Sequence, residues 1–432
     1  MLPTFRIGER AKLDVQSTVA GDFPQKSSLD DLAIFGGPPL FREQLHVGRP
    51  TVSDHEELLK RVRGVLESGW LSNDGPQVRE FERRIAEIVG VRHCISMCNA
   101  TTALQVVARA AKLTGEVIVP SFTFVATAHA LQWQGIEPVF CDIDETFCLD
   151  PKRIEELITP RTSAIIGVHL WGQTCNVEAL TEICRRHNLV LLFDAAHAFG
   201  SSRNGVMVGR FGRAEVFSFH ATKFMNTFEG GAVVTDDMEL ANSCRAMRNF
   251  GFTGEDEVSS LGINGKMHEV EAAMGLASLD HVEEIIATNK NNYLEYRKGL
   301  EGIPGVALIQ YDEKNQNNYQ YVVIEIGEVA RVGRDKLHTL LQTEGILVRR
   351  YYYPGCHRME PYRSLYPGIE NRLPRTEHAC AHLLCLPTGK AVGLAQIRTV
   401  CALLRFVVEN GSEMQARLKR PLSTVAASGN SQ

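Results

Sequence analysis

The middle of the chain alternates between short apolar runs and longer segments with the 3.6-residue periodicity of helices. The apolar runs predict strands at His93–Met97, Glu116–Val119, Pro138–Asp142, Ala164–Leu170, Leu189–Asp194, Ala214–Phe219 and Ala232–Thr235. Between them, the periodic segments predict helices at Thr101–Leu113, Phe124–Gln134, just after Asp150, and at Val177–His187. Strands that alternate with helices of about 10–15 residues indicate a mostly parallel sheet covered on both faces. The pattern therefore predicts the α/β fold class.

The pattern changes on either side of this region. Before it, two amphipathic helices are predicted at Ser53–Ser68 and up to about Val89. After it, a long helix from Val282 to Leu300 leads to a strand at Tyr319–Ile326 and to further helices. We therefore predict a flexible N-terminal arm (1–35), a large domain (36–281), a smaller C-terminal α/β domain (282–410) and a disordered tail (411–432).

Composition limits the partners of this 432-residue chain. It is 44% apolar and 22% charged, with a formal net charge of −5, so it has no basic excess for nucleic acid. No apolar run reaches the roughly 18–20 residues that span a bilayer, and the N-terminus lacks the apolar core of a signal peptide. The eleven cysteines are scattered and form no CxxC pair. We expect a cytoplasmic protein with reduced thiols that binds neither nucleic acid nor membranes.

Two polar residues stand where an α/β protein binds ligands. Asp194 ends a buried-type strand, and Lys223 lies on a loop between two later strands. Ligands bind at the carboxyl ends of such strands. A lone lysine on a loop is usually a solvated surface residue. An aspartate and a lysine at one sheet edge are, however, the minimum set of groups that holds pyridoxal phosphate.

Three further positions fit that hypothesis, and two of them also have an ordinary structural explanation. The stretch CNATTAL (98–104) joins a strand to a helix, where Thr101 and free N–H groups suit a phosphate, although Asn99 as a helix cap explains it equally well. Ser218 adds a hydroxyl five residues before Lys223. Phe124 follows a strand and either stacks on a flat ring or packs in the core.

Two other motifs point to different chemistry but are weak. Asp142 and Asp144 follow a strand in a DxDxT pattern that is typical of aspartyl-phosphate phosphatases, yet so short a pattern arises often by chance. His378 and His382 are one helical turn apart, but no third zinc ligand accompanies them. We predict no metal site. The chain also lacks the GxGxxG and GxxxxGK[ST] nucleotide-binding motifs.

Several stretches, in one order, resemble the DegT/DnrJ/EryC1/StrS family of fold-type I, pyridoxal-phosphate-dependent sugar aminotransferases. The resemblance runs from about Gly36 to Val408. Its carriers are SGWLSNDGP (68–76), CNATTAL (98–104), GEVIVPSFTFVATAHAL (115–131), PVFCDID (138–144), DAAHAFG (194–200), FSFHATKFMNTFEGG (217–231) and GINGKMHEVEAA (262–273). The lysine stretch and DAAHAFG, 29 residues apart from Asp194 to Lys223, are the most specific.

The resemblance implies roles for individual residues. Lys223 is expected to bind pyridoxal phosphate covalently and to shuttle the proton between substrate and cofactor. Asp194 is expected to face the pyridine nitrogen, His197 the ring phenolate oxygen, and Phe124 one face of the ring. The expected phosphate contacts are Ala100, Thr101 and Ser218.

The resemblance also implies a homodimer with its active site at the subunit interface, because Asn264 matches the family asparagine that reaches the partner's phosphate. The stretch departs from the family at Lys266, where an arginine is common.

The expected reaction is amino transfer from L-glutamate, through the pyridoxamine phosphate form, to a nucleotide-linked keto-sugar in amino-sugar or antibiotic biosynthesis. The similarity is greatest to members that aminate C4 of dTDP-4-keto-6-deoxy-D-glucose. The opening FGGPPLF (35–41) instead resembles members that aminate cyclitol ketones such as scyllo-inosose, or that make an aminobenzoate precursor. A 3-keto nucleotide sugar is a further alternative substrate. Trp70, His220 and the aromatic-basic run Arg349–Tyr353, with Arg349 foremost, are expected to border the substrate, although surface or core roles explain each of them equally well. From a different class, a non-catalytic regulator that senses a sugar nucleotide is disfavoured by the complete lysine, aspartate and histidine set.

Overall fold

A seven-stranded sheet forms the centre of the protein. The computed structural model describes Phe23 and residues 25–419. The strands lie in the order His93–Met97, Gly231–Thr235, Ala214–Ser218, Val190–Asp194, Thr162–Val168, Glu116–Pro120 and Glu137–Cys141. All neighbours pair in parallel except Gly231–Thr235, which is antiparallel to the strand on each side. The predicted α/β class with a mostly parallel sheet is confirmed.

Helices cover both faces of this sheet. Because side chains on both faces are buried, its strands appear in the sequence as continuous apolar runs. Every residue of Glu116–Pro120 and of Gly231–Thr235 is buried. The helices that precede, connect and follow the strands are His55–Ser68, Pro76–Val89, Ala100–Ala110, Ala126–Gln132, Val177–His187, Met238–Met247 and Glu269–Leu279. The helix between Glu116–Pro120 and Glu137–Cys141 is shorter than predicted.

The C-terminal part builds a second apolar core around a small antiparallel sheet. Its strands are Val306–Leu308, Val322–Ile326 and Leu383–Leu386. Its helices are Val282–Leu300, Arg334–Thr343, Tyr362–Leu365, Pro374–His382, Leu394–Glu409 and Gly411–Lys419. The division into two domains near residue 281 stays a prediction. Over Phe23 and residues 25–419, no helix is both long and apolar enough to cross a bilayer.

The segment before the large domain is not a loose arm where the structure describes it. Leu29 and Leu32 are buried in the C-terminal core, and Leu45–His46 pairs with Ile346–Leu347. The buried carboxylate of Glu344 accepts hydrogen bonds from two N–H groups of the segment at 2.7 and 2.9 Å. The prediction failed because these few leucines complete a core that is distant in sequence. Residues 1–22 and 24 of the predicted arm lie outside the described residues.

The predicted disordered tail is also wrong over its first part. Residues Gly411–Lys419 form a helix in which Met414 is fully buried in the C-terminal core. Arg417 pairs with Asp30 at 2.5 Å and with Glu413 at 3.2 Å. The burial of Met414 and the ion pair with Asp30 stabilise this helix. Its polar sequence alone does not predict an ordered segment. Residues 420–432 lie outside the described part of the chain.

The helix predicted after Asp150 is replaced by two short 3₁₀ turns, Pro151–Arg153 and Glu155–Leu157. Eight residues, 151–158, lie between Asp150 and the Thr159-Pro160 pair. The residue before a proline is disfavoured in the helical conformation, so this pair would end any helix here after about two turns.

Candidate functional site

A cavity of about 270 Å³ lies at the carboxyl ends of the central strands. Asp194 and Ser218 are the last residues of neighbouring parallel strands, which places both side chains at the same edge. The start of helix Ala100–Ala110 closes one side. The predicted site residues that line this cavity are Ala100, Thr101, Phe124, Asp194, His197, Ser218, His220 and Lys223.

The carboxylate of Asp194 is buried and held by two donors. Thr127 Oγ1 donates to Asp194 Oδ2 at 2.7 Å, and the Ala196 N–H donates to Oδ1 at 3.1 Å. Because the Thr127 proton is used here, the 3.2 Å contact between the two threonine hydroxyls is donated by Thr123. Burial raises the pKa of Asp194, while the two hydrogen bonds and Lys223 oppose that shift. The carboxylate is therefore fixed in place before any ligand arrives.

Lys223 lies on a loop that is tied to the sheet at both ends. Phe219 donates its N–H to the Gly230 carbonyl at 2.8 Å and accepts one from Thr227 at 2.8 Å. Phe224 and Met225, which directly follow the lysine, are buried in an apolar cluster. The rings of Phe224 and Phe199 stack with a centroid distance of 6.3 Å. The sequence analysis left this neighbouring stretch unassigned. Its apolar side chains anchor the loop.

Desolvation changes the acidity of the lysine. Burial lowers the pKa of Lys223 from 10.5 to about 8, although the nearby carboxylate of Asp194 acts in the opposite direction. A useful fraction of this amine is therefore neutral near pH 8, as a nucleophile or a base requires.

His197 is buried between backbone and aromatic groups. Its Nδ1 accepts the Trp171 N–H at 3.3 Å, and its Nε2 lies 2.9 Å from the hydroxyl of Tyr352. The Tyr321 ring packs against the imidazole with a centroid distance of 4.7 Å. Burial, followed by the charge of Lys223, holds the pKa of His197 well below its usual value. The imidazole is therefore neutral.

The start of helix Ala100–Ala110 borders one end of the cavity. Asn99 caps the helix by accepting the Thr102 N–H at 2.8 Å, so both the capping role and the site position that the sequence suggested are present. The N–H groups of Ala100 and Thr101 have no acceptor within the helix. A Cβ on Gly231 would lie 2.5 Å from the Ala100 nitrogen. Glycine at this strand position therefore keeps the helix terminus open to an anion.

An aromatic wall faces the lysine. Phe124 is 58% exposed in the single chain, and its ring lies 6.3 Å from that of Tyr352. Tyr321, Tyr351 and Tyr352 line the same cavity, and the last two rings stack at 5.0 Å. Phe124 thus lines the cavity and is not a core residue.

Three predicted site residues do not line this cavity. Trp70 is 43% exposed and packs against the Arg79 guanidinium at 5.2 Å. Arg349 is exposed, and its backbone pairs with Cys385. Asn264 is exposed on the loop that bridges to Asn249, also away from the cavity of its own chain. His220 does line the cavity, and its Nδ1 contacts Thr222 Oγ1 at 2.9 Å.

No sequence pattern singled out Thr127, whose hydroxyl donates to Asp194, or Trp171, whose N–H contacts His197. Thr127 lies within the GEVIVPSFTFVATAHAL stretch, but only the tertiary contact distinguishes it from its neighbours. Tyr351 and Tyr352 belong to the run Arg349–Tyr353 that was expected to border the substrate, and these two tyrosines, rather than Arg349, line the cavity. The density of aromatic residues in that run was a signal available without the structure.

The phosphatase-like motif has a structural role. Asp142 caps helix Pro374–His382 by accepting the Thr376 N–H and hydroxyl, both at 2.8 Å, and the Arg375 N–H at 3.0 Å. Asp144 accepts the N–H of Thr146 in a local turn. Neither carboxylate lines the cavity.

The histidine pair is also structural. The rings of His378 and His382 stack at 4.1 Å, and His378 Nε2 contacts Glu325 at 2.6 Å. Among Phe23 and residues 25–419, no cluster of three or more histidine, cysteine or acidic residues is arranged to hold a metal ion.

Comparison with known sequences gives a family match. The model of the DegT/DnrJ/EryC1/StrS aminotransferase family matches residues 52–405. A dTDP-4-amino-4,6-dideoxy-D-glucose transaminase from Escherichia coli is 36% identical over 345 residues, which cover 79% of this chain and 92% of that protein. A GDP-perosamine synthase from Caulobacter vibrioides is 35% identical over 84% of this chain and 98% of its own length.

Comparison with solved structures agrees. The crystal structure of DesI with its TDP-sugar product has a TM-score of 0.88 and 50% sequence identity. The match covers 91% of this chain and all of that one.

The cavity fits the cofactor of this family. Pyridoxal phosphate needs an anion site, an amine for its aldehyde and an acid near its pyridine nitrogen. The open terminus of helix Ala100–Ala110, the amine of Lys223 and the fixed carboxylate of Asp194 lie around one cavity. The family match, the similar structures and this set of groups lead to one conclusion: the chain belongs to the DegT/DnrJ/EryC1/StrS family of pyridoxal-phosphate-dependent sugar aminotransferases.

Proposed function

We propose that the chain transfers the amino group of L-glutamate to C4 of dTDP-4-keto-6-deoxy-D-glucose, giving dTDP-4-amino-4,6-dideoxy-D-glucose. The observation that carries this proposal is the similarity to two proteins that are named for, or solved with, a thymidine-nucleotide sugar. They are the Escherichia coli transaminase, at 36% identity, and DesI with its TDP-sugar product, at 50% identity. The cavity with Lys223, Asp194 and His197 supports the same chemistry.

We assign the proton transfers to Lys223. When bound, pyridoxal phosphate supplies an electron sink that stabilises negative charge next to the reacting carbon. The lowered pKa of about 8 lets the Lys223 amine accept a proton from the amino donor and return it on the other side of the transfer. The anchored loop keeps the Lys223 amine at the sheet edge. The amine therefore moves little between accepting the proton and returning it.

Asp194 and the helix terminus orient the cofactor in this proposal. The Asp194 carboxylate, fixed by Thr127 and Ala196, favours a protonated pyridine nitrogen. The N–H groups of Ala100 and Thr101, with the Ser218 hydroxyl, bind the phosphate. Phe124 packs on one face of the ring and excludes water from it.

We further propose a homodimer. The exposed apolar residues between 250 and 263 form what we call the 250–263 patch: Phe250 48%, Phe252 40%, Val258 58%, Leu261 67% and Ile263 42% exposed. A patch of this kind is typical of a protein interface. Asn264 follows it directly and does not reach its own cavity, which supports the expectation that it contributes to the partner's site.

The thiols support a location in the cytoplasm. All eleven cysteines are free, and ten of them are buried. Free thiols persist in a reducing compartment.

A substrate panel tests the proposal. Protein converted to the pyridoxamine form with L-glutamate is mixed with dTDP-4-keto-6-deoxy-D-glucose, a 3-keto nucleotide sugar or scyllo-inosose. We expect the first ketone to restore the pyridoxal absorption and to yield an aminated sugar by mass spectrometry. The matched Lys223→Ala protein shows neither change. Faster conversion of the 3-keto sugar or of scyllo-inosose would contradict the proposed substrate, while leaving the family chemistry in place.

A further inference from the structure

A serine, a histidine and a glutamate are linked by hydrogen bonds beside the cavity. His357 Nδ1 lies 2.7 Å from the Oγ of Ser121, and His357 Nε2 lies 2.6 Å from Glu377 Oε1. Arg358 donates two further hydrogen bonds to the same carboxylate, at 2.7 and 2.5 Å. No motif in the sequence singles out these residues, and the proposed function leaves them without a role.

The direction of each bond follows from the groups involved. Arg358 lowers the pKa of Glu377, so the carboxylate is ionised and only accepts hydrogen bonds. Nε2 of His357 therefore carries a proton. Burial lowers the pKa of His357, although Glu377 opposes that shift, and the neutral ring has no second proton. Nδ1 is thus an acceptor, and Ser121 donates its hydroxyl proton to it.

The arrangement has the order of a hydrolase triad, in which an acid orients a histidine that activates a serine. Such a serine must touch its substrate. Ser121 is fully buried, His357 is 2% exposed, and neither residue lines the cavity at the sheet edge. The three residues are therefore not a second catalytic centre.

The bonds instead join two segments that are 236 positions apart in the chain. Ser121 directly follows strand Glu116–Pro120, and its carbonyl accepts the Cys356 N–H at 3.0 Å. Its Oγ also accepts the backbone N–H of His357 at 3.1 Å. The Cys356 thiol donates to the Thr123 carbonyl at 3.4 Å. These contacts fasten residues 356–357 to residues 121–123.

Each of these segments carries part of the aromatic wall of the cavity. Phe124 lies at the end of the first segment, and Tyr351 and Tyr352 lie just before the second. All three rings line the cavity, and those of Phe124 and Tyr352 are 6.3 Å apart. The relative position of the rings therefore depends on the contacts between His357 and Ser121.

We propose that His357 is a positioning residue for the cavity: by accepting the hydrogen bond of the Ser121 hydroxyl, it holds the two sides of the aromatic wall together. Glu377 and Arg358 act through His357, because they keep its proton on Nε2 and leave its Nδ1 free to accept. The effect that reaches the cofactor through Phe124 rests on the proposed function, in which this ring packs on pyridoxal phosphate.

Two substitutions at one position separate the two nitrogens of the histidine. In His357→Asn, the amide oxygen takes the place of Nδ1 and still accepts from Ser121, while the contact with Glu377 is lost. In His357→Gln, the amide nitrogen takes the place of Nε2 and still donates to Glu377, while Ser121 loses its acceptor. The affinity of the full chain for pyridoxamine phosphate is measured in both. We expect it to stay within about twofold of wild type in His357→Asn and to fall by about tenfold in His357→Gln.

Ser121→Ala removes the same contact from the other side. It keeps the histidine, so it carries the test if His357→Gln does not fold. We expect the same loss of affinity, of about tenfold, and no further loss when the two substitutions are combined.

His378→Gln is the matched control. His378 Nε2 also contacts a carboxylate, that of Glu325, at 2.6 Å, but it lies outside the cavity and joins no part of the aromatic wall. We expect this variant to bind pyridoxamine phosphate as tightly as the wild type does.

A purely structural role of His357 predicts a different result. Both His357 variants would then lose thermal stability, and the folded fraction of each would bind pyridoxamine phosphate as the wild type does. That outcome, or equal losses of affinity in the two variants, would overturn the proposal.

Phe124→Ala keeps a failure of the proposed function apart from a failure of this proposal. If Phe124→Ala binds pyridoxamine phosphate as tightly as the wild type does, the ring packing in the proposed function is wrong. The difference between the two His357 variants still decides the role of His357, because Tyr351 and Tyr352 belong to the same wall. No sugar enters these measurements, so an incorrect substrate would not affect them.

Discussion

Three buried groups at the site, Lys223, Asp194 and His197, have protonation states that are set by their surroundings. Desolvation pushes the lysine and the histidine toward their neutral forms, and it raises the pKa of the aspartate. Thr127 and the Ala196 N–H partly offset this rise in the pKa of Asp194, and they hold its carboxylate oxygens in place. Perturbed titration of neighbouring groups in a cavity is typical of functional sites.

The lowered pKa of Lys223 predicts a pH dependence. The amine is the nucleophile only when neutral, so each pH unit below about 8 reduces the neutral fraction about tenfold. We expect the rate at which pyridoxal phosphate attaches covalently to cofactor-free protein to rise with pH and to level off above about 8. Stopped-flow absorbance measures that rate. Lys223→Ala serves as the control and should show no attachment after borohydride reduction. A rate that keeps rising to pH 10 would indicate an unshifted lysine.

At the scale of single residues, the sequence identifies those that carry a charge or belong to a specific motif. It identified Asp194, His197 and Lys223, and the structure places all three around one cavity. It missed Thr127 because a threonine in a helix has no distinctive pattern. Its importance comes from a carboxylate 67 positions later in the chain.

At the scale of helices and strands, the N-terminus of helix Pro374–His382 is capped by Asp142, which directly follows the central strand Glu137–Cys141. Its N-terminal N–H groups are satisfied by the Asp142 side chain, 233 and 234 positions earlier. Asp142→Ala should therefore lower the free energy of unfolding by about 1–2 kcal/mol, the usual cost of removing a helix cap. Urea denaturation measures this loss. Amino transfer per folded molecule should stay unchanged, because Asp142 lies outside the cavity.

Asp144→Ala is the matched control for that experiment. Asp144 is two residues away and caps only its own turn with Thr146. Its removal should cost less than the removal of Asp142. Equal losses at the two positions would show that the contact with helix Pro374–His382 adds nothing to stability.

Element prediction succeeded where local signals were complete. Helices Val177–His187 and Val282–Leu300 have the bounds that the sequence predicted. The first is capped by Asn176, whose side chain accepts the Ala179 N–H, and ends at the left-handed Asn188. Helix Gly411–Lys419 was missed because its stability comes from the burial of Met414, and not from its own pattern.

For the whole molecule, the 250–263 patch predicts the oligomeric state. We expect a dimer by analytical ultracentrifugation, and Leu261→Glu should shift it toward the monomer by placing a charge in the interface. Val329→Glu is the control, since Val329 is similarly exposed, at 69%, but lies on a distant 3₁₀ turn. If Asn264 reaches the partner's phosphate, the Leu261→Glu monomer also binds pyridoxamine phosphate more weakly. A wild-type monomer at micromolar concentration would contradict the proposed homodimer.

The sequence by itself determined the α/β class, the family and the charged residues of the site. These depend on local periodicity and on short motifs, which are properties of neighbouring residues. Only the tertiary structure decided that Leu29 and Met414 complete the C-terminal core, that Asp142 is a helix cap, and that Trp171 and Tyr352 both contact the His197 ring. Each of these contacts joins residues far apart in the chain. Their energy comes from burial and from satisfied polar groups, which no local pattern records.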